Sequence, residues 1–162
     1  MRNIKTFNIF AADILATTLK SFPSPASVCI NDTIGRTRDF LEPLYPEGFE
    51  KSDLTWVVWD KAKEQEYLVD LTQTWDDTAV WLRNAGYISF DDKDLFGGYI
   101  PSIGLTEKGL KVLNTRLDAL ETSRSIGERL SDAAIWAGGA TTGAMIQSLI
   151  EQIIGEGAKV LL

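Results

Sequence analysis

The chain has 162 residues, 44% of them hydrophobic and 24% charged, with a net charge of −7 at neutral pH. That length suits one compact domain, or a domain of about 120 residues with an appendage, and the five Trp, seven Phe and four Tyr can build a core without disulfides or metals. The negative balance argues against a general electrostatic grip on nucleic acid, which needs Lys and Arg to neutralise phosphates, and a single Cys excludes an intrachain disulfide and fits a reducing cytosol.

Residues Met1 to Thr6 lead into an apolar run broken by Asp13, with no signal-peptide core or small-residue cleavage site, so a cytoplasmic location is expected. Phe7, Phe10 and Ile14, with Leu15 and Leu19, place a wide apolar face on a first helix over 7–21. Pro23 and Pro25 stop it, because the residue before each is pushed out of the helical region. Val28 to Ile30 reads as a short strand, and Asp32 or Thr33 as the cap of a second helix reaching Leu41. Between 43 and 74 the β-branched and aromatic run Leu54 to Trp59 predicts a strand. Asp60 to Gln73, rich in Lys, Glu, Gln and Leu, predicts a helix with Tyr67, Leu68 and Leu71 inward.

A third helix is expected with Thr74 as its N-cap, Asp76 and Asp77 in its first turn, and an end at Asn84-Ala85-Gly86, with Gly86 as a left-handed cap. Tyr87 to Phe90 alternates like a strand, Asp91 to Gly98 turns, and Tyr99 to Ile103 returns. Thr106 then caps a helix continuing through Leu110, Val112 and Leu113 to Leu117. This order of helix, strand, loop, strand and helix, with the run Leu105-Thr106-Glu107-Lys108-Gly109-Leu110, resembles the C-terminal half of a winged helix-turn-helix domain. The resemblance implies an α+β fold: a winged-helix-like domain over 1–121, carrying an insertion around 43–74, and a helical C-terminal extension over 122–162. It also implies that the helix from Trp75 to Ala85 is the recognition helix and Asp91 to Gly98 the wing.

Charge separates the functions open to such a domain. The two elements hold Asp76, Asp77, Asp91, Asp92 and Asp94 against Arg83 and Lys93, a balance of two minus five, or −3. Both would approach a polyanion, and repulsion opposes that. The acidic residues therefore point to a basic protein partner, ahead of DNA. In the DNA alternative, a dimeric transcriptional regulator, Arg83 and Asn84 reach base edges while Lys108 and Lys111 reach phosphates.

Catalysis is not expected. The chain has no His, which removes Ser-His-Asp and Cys-His machinery and His-containing metal sites. Cys29, between Val28 and Ile30, reads as a buried structural thiol. Read as a calcium loop from Asp92, the wing has Gly97 in register but Phe96 at a ligand position and Ile103 where the closing Glu belongs, so a solvated turn is expected and no cofactor or metal.

No charged residue occurs from Ala133 to Ile150, and Met145, Ile146, Leu149, Ile150, Ile153 and Ile154 form one broad stripe on a helix. Gly155 and Gly157 are expected to end it. Three readings follow. The first is self-association into a homo-oligomer, with Leu130, Met145, Ile146, Leu149, Ile150 and Ile153 at the contact. The second is packing back on the chain's own domain, and the third is membrane insertion through the small-residue pattern Gly139 to Gly143. Self-association is placed first and insertion last, because polar Thr141, Thr142, Gln147 and Ser148 interrupt the segment.

Overall fold

Helix α1, Arg2–Ser21, runs through the middle of the fold in the computed structural model, which describes residues 2–60, 65–115, 124–134 and 143–160. It begins five residues before the apolar pattern does, and it is buried on more than one face: Phe10, Ala11, Ala12 and Ile14 are fully enclosed, and Thr6, Asp13 and Thr18 are enclosed with them. The buried polar groups are satisfied locally. Thr6 shares a 2.7 Å hydrogen bond with the Tyr45 hydroxyl, and the Thr18 hydroxyl donates to the Leu15 carbonyl.

Asp13 ties three helices together. Its carboxylate accepts from Arg36 Nε at 2.7 Å and Nη2 at 2.8 Å, and from the Thr33 hydroxyl at 2.8 Å. Thr33 in turn accepts from the Trp75 indole N–H. The paired carboxylate raises the Arg36 pKa above its ordinary value. Thr33 and Arg36 lie on α2, Ile30–Leu41, and Trp75 on α3, Leu71–Asn84. Asp32 falls inside the first turn of α2 rather than capping it; the cap position is Cys29, with no side-chain bond.

Strand β1, Ala26–Cys29, precedes α2. Three strands then separate α2 from α3: β2, Phe49–Ser52; β3, Thr55–Asp60; and β4, Gln65–Asp70. They form an antiparallel sheet in the order β2-β3-β4. Where the sequence predicts a helix over 60–73, residues 65–70 are strand and residues 71–73 open α3, while residues 61–64 lie outside the described ones. Pairing of Val58 with Val69 and Val57 with Asp70 overrides the helix propensity of the neighbouring Lys, Glu and Gln. Leu71 is buried as expected, but as the first residue of α3; the side chains of Tyr67 and Leu68 lie outside the described residues. Asp70 caps α3, accepting from the Thr72 and Gln73 amides, so Thr74 sits inside the helix and donates its hydroxyl to the Asp70 carbonyl.

Gly86, at φ +90°, ends α3. Its N–H reaches the Arg83 carbonyl and the Tyr87 N–H reaches Leu82, the paired bonds of a Schellman cap. Strands β5, Ile88–Ser89, and β6, Tyr99–Leu105, follow, and β6 lies between β1 and β5 in a second antiparallel sheet. Thr106 caps α4, Glu107–Leu113, by accepting from the Gly109 N–H at 2.9 Å. The expected continuation to Leu117 enters residues outside the described ones. Gly109 sits against the Tyr87 carbonyl, where a Cβ has no room. Gly109→Ala is therefore expected to cost about 1–3 kcal/mol, lowering the melting temperature by roughly 2–4 °C per kcal/mol. An unchanged melting curve would contradict the tight approach.

Two further helices, α5 (Ile126–Ala134) and α6 (Gly143–Lys159), pack against α1 and α4. Leu130, Ile146, Leu149, Ile150 and Ile153, expected at a contact between copies, join the core of one chain at 0–4% exposure. An apolar stripe needs cover, and α1 offers it within the same molecule. Of the six residues assigned to that contact, Met145 alone is exposed. Helix α6 also continues through Gly155 and Gly157 rather than ending there. At Gly157 a side chain would collide with the Tyr87 ring, so this glycine lets α6 close on Tyr87. Residues 139–142 of the small-residue pattern lie outside the described residues. Among the described residues no helix is long and apolar enough to cross a membrane.

Candidate functional site

The outer side of α3 and the loop joining β5 to β6 gather most of the residues singled out for binding. Asp77 and Gln73 are exposed one turn apart on α3, and Gln73 donates to Asp77 at 2.9 Å. In the loop, Asp92–Asp94 forms a short 3-10 turn begun by Asp91, whose carboxylate accepts from the Lys93 N–H. Asp91 and Asp92 are exposed and Asp94 half-buried. Phe96 and Tyr99 stand out beside them at 60% and 42% exposure.

Asp76 does a different job from its neighbours. It is partly buried and accepts from the Gly98 N–H at 2.7 Å, while the Gly98 carbonyl accepts from Ile30. Gly98 has φ +84°, and a Cβ there would meet Ile30 at 2.7 Å, so only glycine permits this junction. The carboxylate therefore anchors the end of the loop to α3 and is not free for a partner. Burial pushes its pKa up, against the lowering pull of the Gly98 amide. A carboxyl raised in the folded state holds its proton more tightly there than in the unfolded chain. Its stabilising contribution is full at low pH and is lost as pH rises through the folded value. Asp76→Asn should remove that slope, so the variant gains stability relative to the parent as pH rises from about 3 to 7. Denaturant unfolding across that range checks it, and a constant difference between the two proteins would contradict it.

The cationic candidates are engaged within the chain. Arg83 forms a salt bridge with Asp92, and its guanidinium lies 4.7 Å from the Phe90 ring centre. Lys108 donates to the Ala85 carbonyl at 2.7 Å and lies 5.0 Å from the centre of the Tyr87 ring, so it caps the C-terminal end of α3. Lys111 pairs with Glu107 at 3.2 Å, one turn away on α4. Asn84 is exposed at the last turn of α3. Arg83 and Asp92 are nine residues apart, across a helix end and a strand, and no local spacing rule announces such a pair.

A cleft of 520 Å³ opens beside this face, between the start of α1 and α3. Phe7, Trp81, Asn3, Gln73, Asp77 and Asp70 line it. Trp81, at 40% exposure, meets the Phe7 ring edge-on at 5.2 Å and stacks on Tyr87. The sequence marks Phe7 and Trp81 only as apolar surface of their helices; their meeting is a product of helix packing.

Cys29 is partly buried rather than fully enclosed, and burial raises its pKa, which keeps it a thiol. Among the described residues no group of three or more His, Cys, Asp and Glu is placed to hold a metal ion. Comparison of the chain with protein-family models, with curated proteins and with solved structures finds no match.

Proposed function

We propose that the chain is a non-catalytic interaction or regulatory module, built on a modified winged helix-turn-helix, that presents an acidic face to a basic protein partner. The order α1-β1-α2-α3-β5-β6, with β6 paired between β1 and β5, supports the winged-helix reading. In that reading α3 is the recognition helix, residues 91–98 are the wing, and the sheet β2-β3-β4 is an insertion before the recognition helix. The observation that carries the function is the state of the charges. Arg83 and Lys108 are held by groups of the same chain, while Asp77 and Asp91 remain exposed on the face, where Lys93 is the exposed cation among the described residues. A surface so arranged repels phosphates and attracts Lys and Arg.

Self-association through the α6 stripe does not belong to this reading. Met145 and Ile154 are the large exposed apolar residues of α6, and nine residues of helix place them on opposite sides, which leaves no broad apolar strip for a second copy among the described residues of α6. Sedimentation should accordingly give the mass of one chain.

The function is tested by titrating the full chain with a lysine- and arginine-rich peptide while following backbone amide NMR signals. Shifts centred on α3 and residues 91–98, weakening with salt, are expected. Shifts centred elsewhere, or none at low salt, would remove the proposal.

A further inference from the structure

We propose that the cleft between α1 and α3 is an arginine pocket, which takes one guanidinium of the basic partner. The assignment deepens the acidic-face reading and rests on it. Guanidinium recognition needs a flat apolar wall and several acceptors, because the group is planar, weakly hydrated and carries five N–H donors. Trp81, exposed and lining the cleft, meets Phe7 edge-on and stacks on Tyr87, and these neighbours fix it as an aromatic wall. A cation over an indole is the strongest of the cation–aromatic pairs.

The acceptors surround that wall. The Asp77 carboxylate lines the cleft and is exposed, with the Gln73 side-chain amide as its hydrogen-bond donor. A guanidinium can replace that neutral donor with a charge-assisted pair. The side-chain carbonyls of Asn3 and Gln73 and the Thr74 hydroxyl add acceptors that an ammonium, with three donors at one point, uses less fully. Asp70, also lining the cleft, adds negative charge, although its carboxylate already accepts two α3 amides. Among the described residues lining the cleft there is no Lys or Arg to compete for these groups. Charge, shape of the wall and acceptor count thus select arginine.

The test uses the full chain and N-acetyl-argininamide, followed through the Trp81 indole N–H signal, with N-acetyl-lysinamide as the comparison. The arginine amide should move the Trp81 signal in a saturable way, in the millimolar range, and more tightly than the lysine amide. Asp77→Asn should weaken it by up to about fivefold, as for the loss of an exposed ion pair, whereas Glu151→Gln, on the exposed side of α6, should leave it unchanged. Asp77 is exposed, so an otherwise unaltered spectrum shows that the variant keeps its fold. A non-saturating shift, equal binding of the two amides, or an unchanged affinity in Asp77→Asn would overturn the pocket. If the arginine-rich peptide still shifts residues 91–98 while Trp81 stays still, the pocket is lost and the acidic-face reading survives. If the single amide fills the cleft but the peptide does not bind, the protein-partner reading is the one that falls.

Discussion

Deleting residues 143–162 is expected to leave a chain that no longer unfolds cooperatively. Ile146, Leu149, Ile150 and Ile153 are each at most 4% exposed, packed with α1 into the common core. Burial of each side chain contributes about 1.5–3 kcal/mol, so the four together supply about 6–12 kcal/mol. A domain of this size has only about 5–15 kcal/mol in total. Removal of α6 also bares the apolar face of α1, which favours aggregation. Because a truncation changes much at once, Ile150→Ala in the full chain is the sharper companion: a cavity there should cost about 2–5 kcal/mol. Thermal unfolding measures both. A truncated protein that melts at the parent's temperature would show that α6 is an appendage and not part of the core.

Asp13→Ala should be the most damaging single polar substitution. It leaves the Arg36 guanidinium without its carboxylate and breaks the chain of bonds through Thr33 to the Trp75 indole. Removing one partner of a buried pair costs about 3–5 kcal/mol. The Arg36 side chain is 38% exposed and can recover some hydration, so about 2–4 kcal/mol is expected. The double substitution Asp13→Leu with Arg36→Met should cost less than Asp13→Leu alone, because no unpaired charge remains. Chemical denaturation of the three variants tests this, and a double variant worse than the single would contradict the account of the network.

Local chemistry made part of this architecture readable in the sequence. The Thr106 cap and the Gly86 helix end depend on residues within one turn, and both stand where their side chains or backbone freedom require. The misplaced start of α3 has the same local character: Asp70 and Thr74 are both competent caps, and only the pairing of β4 with β3 selects Asp70. What could not be read was non-local. Whether the α6 stripe meets α1 or a second copy depends on a contact across most of the chain, and the stripe looks the same in either case. The working face shows the same limit, since composition counts Arg83 and Lys108 as free cations although Asp92 and the Ala85 carbonyl occupy them. Asp76, one of five aspartates in the pattern, is set apart only by the approach of Gly98.

The central claim is that this acidic face meets a cationic protein segment and not a nucleic acid. Fluorescence anisotropy of a labelled arginine- and lysine-rich peptide and of a labelled DNA duplex, each titrated with the full chain at low salt, tests it most directly. The peptide should bind, more weakly as salt is added and as Asp77, Asp91 and Asp94 are changed to Asn, and the duplex should not bind. Salt-sensitive binding of the duplex, with the peptide left free, would contradict it.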